Sequence, residues 1–384
     1  MTPGARVQAA IELLDDILDG VPAEKALTGW SRRSRFAGSK DRVAVRDYVF
    51  DALRRRNSVA ALGGAFNGRG LMIGLLRQSE TDLSSVFTGI AYAPNVLTKE
   101  EEHGAAYHDL PLDVPDWLTS QIRETLGENA ESSIQILKER APISLRVNLQ
   151  RVSRENAQKR LRSNGVETCV SDKATSGLLV EQGARRISQS DAYKEGLVEL
   201  QDISSQVAVE ALPLTDSMSV LDFCAGGGGK LLAMAGRVRA NFYAHDALKQ
   251  RLRDLPGRAR RAGVRVVQTD VPEKHSPYDL IFCDVPCSGS GTWRRTPDAK
   301  WRLSPDDLNK MTELQQSILQ RAYPMVAIKG YLVYATCSIL KIENTVQTDK
   351  FLTATTGWRM IGSRQLPITE DCDGFYFAIF RRMN

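Results

Sequence analysis

The chain has 384 residues, more than one ordinary hydrophobic core organises, so its length predicts two or three domains. Hydrophobic residues make up 42% and charged residues 25% of it, a balance that excludes a disordered chain. The net charge of +5 and a pI of about 8.8 permit a polyanionic partner without establishing one.

The sequence shows no targeting or membrane signal. Its amino terminus lacks an apolar signal core, and no apolar run approaches the roughly 20 residues that cross a bilayer. The cysteines form neither metal-type pairs nor a regular disulfide framework; they are Cys169, Cys224, Cys283, Cys287, Cys337 and Cys372. We therefore expect a cytoplasmic monomer with free thiols, no metal and no membrane partner.

The first ~90 residues are predicted to be helical, because Val7, Ile11, Leu14 and Ile17 follow helical spacing. Between Ser31 and Arg56 there are nine lysines and arginines against three acids. A second basic stretch runs from Arg251 to Arg265. A solvated helix surface explains either stretch equally well, but two in one chain favour a phosphate-backbone partner.

A connection and a small α/β platform are predicted next. Residues 92–115 contain three prolines and a charge run, which predict an irregular connection. Beyond it the predicted order is strand, helix, strand, strand, with strands at 144–147, 167–170 and 177–180. Ser153 is placed to cap the helix and Gly165 to end it. The segment lacks the aromatic pattern of an RNA-stacking sheet.

The remaining chain alternates strands and helices, which predicts an open, mostly parallel sheet with helices on both faces. The predicted strands are 219–223, 241–245, 264–268, 279–283, 331–335 and 375–380. Ser304 and Pro305 form a cap and first-turn pair for one of the helices.

A glycine-rich loop, Cys224-Ala225-Gly226-Gly227-Gly228-Gly229-Lys230, follows the first of these strands, where such sheets bind ligands. Leu231 and Leu232 stand where a dinucleotide fingerprint needs glycine. Cys224 and Leu231 stand where a phosphate-binding loop needs glycine and a hydroxyl residue. S-adenosylmethionine, which has no phosphate, remains the predicted cofactor, although a structural glycine turn explains the loop alone.

Two cysteine motifs follow adjacent predicted strands. Asp284-Val285-Pro286-Cys287-Ser288-Gly289 comes after one strand and Thr336-Cys337-Ser338 after the next. We interpret Cys169, Cys283 and Cys372 as small buried apolar residues. Cys287 and Cys337 instead lie in polar turns at one rim of the sheet, where loops carry function.

These motifs resemble those of the RsmB/NOL1/NOP2/Sun family of RNA cytosine-5 methyltransferases, and the likeness covers nearly the whole chain. Supporting motifs are Arg294-Arg295-Thr296-Pro297-Asp298-Ala299-Lys300-Trp301, Asp202-Ile203-Ser204-Ser205-Gln206, Leu145-Arg146-Val147-Asn148 and Asp373-Gly374-Phe375-Tyr376. The resemblance implies an all-α NusB-like RNA-binding domain (1–125), a small RRM-like α/β domain (126–198) and a Rossmann-like class I methyltransferase domain (199–384).

The resemblance also implies a role for each site residue. Cys337 is the nucleophile that attacks carbon 6 of cytosine, and Cys287 helps to expel it after methylation. Asp284 binds the N3/N4 edge of the base, and Lys230 orients Asp284 or the base. The cofactor is held by Cys224, Ala225, Gly226, Gly227, Gly228, Gly229, Lys230, Asp246 at the ribose, Arg251, Asp270 at the adenine amino group, and Asp284. The substrate implied is small-subunit ribosomal RNA.

The chain departs from the family in its loop, because Gly226 and Gly227 replace the usual Ala-Pro pair. This change predicts a more flexible loop with weaker cofactor affinity. Two classes of alternative remain open: a methyltransferase acting on tRNA or DNA, and a non-catalytic RNA-binding assembly factor. DNA enzymes of this chemistry use the Pro-Cys cysteine and have no matching Thr-Cys motif.

Overall fold

The computed structural model describes residues 1–103 and 110–384, and the chain divides into two compact units. The first unit comprises Met1–Arg123, Ala130–Arg140 and Trp293–Leu303; the second comprises Glu124–Asn129, Ala141–Thr292 and Ser304–Asn384.

The helices of the described residues, in chain order, are α1 (Pro3–Leu18), α2 (Ala23–Arg33), α3 (Ser39–Arg54), α4 (Arg56–Gly63), α5 (Gly68–Gln78), α6 (Lys99–His103), α7 (Asp116–Leu126), α8 (Ala130–Ile136), α9 (Arg154–Ser163), α10 (Asp191–Lys194), α11 (Ile203–Glu210), α12 (Gly229–Ala235), α13 (Leu255–Ala262), α14 (Ala299–Arg302), α15 (Pro305–Ala322) and α16 (Thr345–Ala354). The strands are β1 (Ser144–Val147), β2 (Glu167–Val170), β3 (Gly177–Gln182), β4 (Val198–Leu200), β5 (Ser219–Asp222), β6 (Asn241–Ala244), β7 (Val266–Gln268), β8 (Tyr278–Asp284), β9 (Val326–Thr336), β10 (Trp358–Leu366) and β11 (Phe375–Arg382).

The first unit is helical, as predicted. Helix α1 begins at Pro3, and the Thr2 hydroxyl accepts a hydrogen bond from the Ala5 amide at 3.2 Å, which satisfies one of the free donors of its first turn. The apolar stripe that includes Val7 and Leu14 packs into a core formed with α3 and α5. No single helix of the described residues is long and apolar enough to cross a membrane; α4 and α5 reach that length only as a pair bent by 92°.

The prediction of an irregular connection over residues 92–115 is partly wrong. Residues Lys99–His103 form α6, and Arg69 donates to both carboxylate oxygens of Glu101 at 2.7 and 2.8 Å. An ion pair with α5 therefore holds Glu101 in a run that sequence punctuation alone does not predict to be helical. Residues 104–109 of this connection lie outside the described residues.

One segment of the chain joins the helical unit from far along the sequence. Residues 293–303, which include α14, group with the first unit, and Trp293, Arg294 and Lys300 are each 1% exposed. The Lys300 ammonium donates to the carbonyls of Arg54 at 2.9 Å and Asp113 at 2.5 Å. The predicted methyltransferase domain, residues 199–384, includes this segment. The predicted limits of the three domains therefore stay predictions.

The second unit begins with a small antiparallel sheet in the order β2-β3-β1-β4. Helix α9 packs on β2, and Ser153 caps it by accepting from the Asn156 amide at 3.3 Å. Gly165 follows with φ of +74°, the left-handed conformation that ends helices at little cost for glycine. Strand β4, which the sequence analysis missed, pairs with β1 and crosses the predicted limit at residue 198.

The large sheet has the order β10-β11-β9-β8-β5-β6-β7. Its strands β5 to β9 are parallel, and β11 runs antiparallel to both β9 and β10 at one edge. Alternate residues of β5 enter different cores, Val220 with Leu231 of α12 and Leu221 with Leu319 of α15, so helices cover both faces. The predicted fold class is confirmed, while strand β10 was not predicted.

Candidate active site

The carboxyl ends of β5, β8 and β9 bring three loops to one rim of the sheet, because these strands are parallel neighbours. A cavity of about 640 Å³ lies at this rim within the second unit. Its lining is Leu200, Gln201, Ser205, Asp222, Cys224, Ala225, Gly226, Gly227, Gly229, Lys230, Arg251, Asp254, Arg258, Asp284, Val285, Pro286, Cys287 and Cys337.

The glycine-rich loop keeps its shape through backbone contacts. Gly226 and Gly228 have φ of +49° and +79°, conformations that residues with a side chain rarely adopt. The Gly226 amide donates to Asp246 at 2.9 Å, and the other oxygen of this buried carboxylate accepts from the Leu248 amide at 2.9 Å. Arg258 donates to the Gly227 carbonyl at 2.5 Å. Hydrogen bonds with side chains outside the loop therefore hold the backbone of Gly226 and Gly227, the two glycines that depart from the family motif.

Two thiols stand side by side at this rim, and we call Cys287 and Cys337 the dithiol. Their sulfur atoms are 3.4 Å apart, within hydrogen-bond distance for thiols. The hydrogen bond to Cys337, followed by burial, holds the pKa of Cys287 well above its usual range. Cys287 therefore keeps its proton at neutral pH.

A lysine and a carboxylate stand on the cofactor side of the dithiol. The Lys230 ammonium donates to Asp284 Oδ2 at 2.6 Å. Burial alone lowers the pKa of Lys230, but the charge and hydrogen bond of Asp284, with smaller contributions from Cys337 and Asp222, raise it above its usual value. Lys230 is therefore a cation at neutral pH.

Asp222, at the end of β5, is a site residue that the sequence analysis missed. Its side chain is buried beneath the cavity, and its Oδ1 has no hydrogen-bond partner among the described residues. Burial, with the negative charge of Asp284, raises the pKa of Asp222 to about 7. A buried acid with one unpartnered oxygen that lines a cavity is suited to a ligand that brings a donor or a positive charge.

Most of the predicted site residues line this one cavity. The predicted residues in its lining are Cys224, Ala225, Gly226, Gly227, Gly229, Lys230, Arg251, Asp284, Cys287 and Cys337. Gly228, Asp246 and Asp270 are not in the lining. Asp246 lies behind the glycine loop, whereas Asp270 is exposed and accepts from Lys249 at 2.5 Å. The roles assigned to all these residues stay predictions.

The other cysteines differ in exposure. Cys283 and Cys372 are buried, as predicted, while Cys169 is only partly buried, so the prediction of a core position for it is wrong. Arg258 and Glu343 are further residues at this rim that the sequence analysis missed. The basic stretch that contains Arg258 was recognised, but no local pattern separates this arginine from its neighbours.

Similarity to known proteins identifies the family. A profile described as "16S rRNA methyltransferase RsmB/F" matches residues 209–381, and one described as the RsmF/B-like ferredoxin-like domain matches residues 114–186. The ribosomal RNA small subunit methyltransferase B of Serratia proteamaculans is 30% identical over 297 residues, which are 73% of this chain and 68% of that protein. This chain belongs to the RsmB/F methyltransferase family.

Other relatives agree with this assignment. The ribosomal RNA small subunit methyltransferase B of Vibrio cholerae is 33% identical over 285 residues, which are 70% of this chain but only 65% of that relative's length. The fold is shared with a methyltransferase homologue from Pyrococcus horikoshii, with a TM-score of 0.62, 23% identity, and coverage of 71% of this chain and 96% of the other. NSun6 from Pyrococcus horikoshii, solved with SFG, gives a TM-score of 0.61, 18% identity, and coverage of 70% and 98%.

S-adenosylmethionine is the cofactor of this family, as the sequence predicts. The lining of the cavity fits it on chemical grounds. The cofactor carries a sulfonium and an ammonium group, and the cavity presents the carboxylates of Asp222, Asp254 and Asp284 with a glycine loop that permits close backbone approach. The Oδ1 atom of Asp222 is an acceptor that receives no hydrogen bond from the part of the chain that the structure describes.

Proposed function

We propose that this chain methylates carbon 5 of a cytosine in RNA through a covalent bond between Cys337 and carbon 6 of the base. The observation that carries the proposal is the dithiol, 3.4 Å between sulfurs, at the rim of the cofactor cavity. A single cysteine suffices to form such a bond. A second thiol in hydrogen-bond contact stabilises the thiolate that is released when the bond breaks.

Carbon 5 of cytosine is a poor nucleophile, and addition of a thiolate to carbon 6 changes this. The Cys337 sulfur forms a bond to carbon 6, and the electron pair of the C5–C6 double bond moves to carbon 5. The bound S-adenosylmethionine supplies an electrophilic methyl group. Lys230 is a cation that lines the same cavity as Cys337, and its charge stabilises the attacking sulfur. Asp284, held by Lys230, accepts from the amino edge of the base.

Release of the product reverses the addition. The hydrogen on carbon 5 leaves as a proton to solvent, the double bond forms again, and the bond between carbon 6 and Cys337 breaks with its electrons on sulfur. The sulfur of Cys287 lies 3.4 Å from that of Cys337, so its S–H group is placed to hydrogen-bond the departing thiolate and favour its release. Without Cys287 the adduct persists.

The RNA substrate is proposed from chemistry and from the relatives. The target base must leave its stack to reach the dithiol. In the first unit, Arg32, Arg33, Arg35 and Arg42 are exposed, and Phe36, which lies among them in the sequence, is 76% exposed, so this segment offers cations for phosphates and an aromatic ring for base stacking. The relatives' names point to small-subunit ribosomal RNA, and we propose that substrate, met in the cytoplasm by a monomer.

The experiment that tests this function separates the two cysteines. Cys337→Ala and Cys287→Ala are incubated with small-subunit ribosomal RNA and cofactor, and covalent protein–RNA complexes are resolved on denaturing gels. We expect no complex from Cys337→Ala and an accumulating complex from Cys287→Ala, because only the second can form the bond without breaking it. Cys169→Ala, on the small sheet, is the control and should behave as the parent.

The reverse pattern would assign the nucleophile to Cys287. Bisulfite sequencing of the same RNA then reports whether the methyl group is on carbon 5 of cytosine. Calorimetry with S-adenosylmethionine addresses the glycine loop: absence of binding at millimolar cofactor would favour a non-catalytic RNA-binding role.

A further inference from the structure

A buried carboxylate lies on the side of the dithiol away from the cofactor loop. Glu343, in the turn between β9 and α16, is fully buried. Its Oε1 accepts from the Ser288 amide at 2.8 Å and from Gln315 Nε2 at 3.1 Å. Its Oε2 accepts from the hydroxyls of Ser288 and Ser338, each at 2.5 Å. Two oxygens thus receive four hydrogen bonds.

This arrangement fits an ionised carboxylate. An ionised carboxylate only accepts hydrogen bonds and has about four lone-pair sites, whereas a neutral carboxyl group must donate one. The four donors to Glu343 are a backbone amide, a side-chain amide and two hydroxyls, all neutral. Charge-assisted hydrogen bonds therefore compensate for the burial of the negative charge.

The serines that Glu343 binds are the residues that follow the two cysteines. Ser288 follows Cys287 on the β8 turn, and Ser338 follows Cys337 on the β9 turn. A single carboxylate thereby ties together two turns that belong to different strands. Two further bonds support the tie: Ser290 Oγ lies 2.9 Å from Ser338 Oγ, and the Gly291 amide donates to the Cys337 carbonyl at 2.9 Å.

The charged groups that act on the two thiols are not the same. Lys230 lines the cavity with Cys337 and is paired with Asp284. The negative charge of Glu343 contributes to the raised pKa of Cys287, after the hydrogen bond to Cys337, burial and the charge interaction with Cys337. Tyr334, whose hydroxyl donates to the Glu343 backbone carbonyl at 2.5 Å, has its own pKa raised by burial and stays neutral.

We propose that Glu343 is a positioning residue of the dithiol: it fixes the separation of the two cysteine turns, and its negative charge, held by two hydrogen bonds from Ser288, favours the thiol form of the neighbouring Cys287 over the thiolate. The proposal rests on the proposed function for its catalytic consequence. Its effect on thiol chemistry is independent of any methyl transfer and of RNA.

The first test measures the thiol alone. In a Cys337→Ser background of the full chain, the rate of Cys287 alkylation by iodoacetamide is followed against pH, with the site identified by mass spectrometry. Glu343→Gln removes a negative charge that disfavours the Cys287 thiolate, so we expect the alkylation profile to move to lower pH. Glu313→Gln, the same change on the exposed face of α15, should leave the profile in place.

The second test measures turnover. Glu343→Gln presents an amide N–H₂ group to a site built from donors, so we expect kcat for RNA methylation to fall about tenfold or more while KM for both substrates stays unchanged. Ser338→Ala and Ser288→Ala each remove one hydroxyl that donates to Glu343 but keep the negative charge of Glu343. We expect each of them to lower kcat by less than Glu343→Gln does and to leave the alkylation profile of Cys287 in place. These serine variants decide the issue if Glu343→Gln does not fold.

The outcomes separate this inference from the proposed function. An unmoved alkylation profile with kcat within twofold of the parent would overturn the role of Glu343 even if methylation of cytosine is demonstrated. Conversely, a shifted profile in a protein that does not methylate RNA would support the role of Glu343 and count against the proposed function.

Discussion

Two buried lysines, Lys230 in the second unit and Lys300 in the first, respond to burial in opposite ways. Lys230 donates to a carboxylate at 2.6 Å, and its pKa is raised despite burial. Lys300 donates to two backbone carbonyls, and burial with the nearby charges of Arg56 and Arg54 lowers its pKa to about 7, although Asp113 opposes the change. At neutral pH, Lys230 is therefore protonated, whereas Lys300 is about half protonated.

The difference shows what decides the charge of a buried amine. Carbonyl dipoles satisfy the hydrogen bonds of an ammonium group but do not repay its loss of hydration, whereas a carboxylate at hydrogen-bond distance does. A buried lysine beside a carboxylate therefore marks a place where a positive charge is needed. A buried lysine among carbonyls marks a structural anchor, and the predictions below test this distinction.

The largest expected effect is the loss of activity in Lys230→Met. Removal of the cation beside Cys337 leaves the thiolate unsupported in a buried site, and we expect methylation to fall by about three orders of magnitude or more. Lys300→Met should retain the parent's kcat at a temperature where it is folded. The rate of single-turnover RNA methylation is measured for both variants. Equal losses of rate in Lys230→Met and Lys300→Met would contradict the distinction between a lysine needed for its charge and a structural lysine.

The Asp284→Asn variant should convert Lys230 into a lysine of the Lys300 kind. Without the carboxylate, burial dominates and the pKa of Lys230 falls below its usual value. We expect methylation to fall by about two orders of magnitude, and the residual activity to be lost as pH rises and Lys230 loses its proton. This explanation is contradicted if the rate of Asp284→Asn does not fall at high pH more than the rate of the parent does.

For Lys300 we expect a pH-dependent effect on stability. Its folded pKa of about 7 lies below the ordinary 10.5, so between these values the unfolded chain binds more protons and stability rises with pH. The gain is about 1.4 kcal/mol at most for each pKa unit of the difference. Urea unfolding at pH 7 and pH 9 should show a rise in the parent that Lys300→Met lacks.

The smallest expected effects concern two glycines. Gly226→Ala places a side chain at φ of +49° in the cofactor loop and should cost about 1 kcal/mol, seen as weaker binding of S-adenosylmethionine in calorimetry. Gly257→Ala lies in α13 with open space around its Cβ position and should stabilise the fold by roughly 0.5–1 kcal/mol. Identical effects of Gly226→Ala and Gly257→Ala would contradict the claim that the backbone conformation of the cofactor loop requires glycine at position 226.

The sequence predicted the central strands of the large sheet well because each is a short apolar run between turn signals. Strand β10 escaped notice because it is an edge strand with mostly exposed residues and no apolar alternation. Strand β4 has only three residues and owes its pairing with β1 to tertiary contact. Local patterns therefore identify strands that are buried on both faces, and they fail where partners from elsewhere create the strand.

The candidate site likewise contains residues that a local sequence pattern predicts and residues that only tertiary contacts reveal. Cys287 and Cys337 were predicted because adjacent parallel strands must bring their ends together. Glu343 gives no such signal, since its importance comes from hydrogen bonds to turns that lie 5 and 55 residues away. The family resemblance implied Asp270 at the cofactor, and that role stays a prediction; in the structure its side chain pairs with Lys249 on the exposed surface. Strand-end position alone does not fix where a side chain points.

The assignment of residues 293–303 to the helical unit limits how the protein can be divided for study. A fragment that begins at Ala141 would still contain Trp293, Arg294 and Lys300, but not Leu53, Arg54 or Asp113, to whose carbonyls this stretch donates. An indole and two cationic side chains, enclosed in the whole chain, would then meet water. Deletion of the amino-terminal helices is therefore a poor way to isolate catalysis from RNA binding, and point substitutions on the exposed surface serve that purpose better.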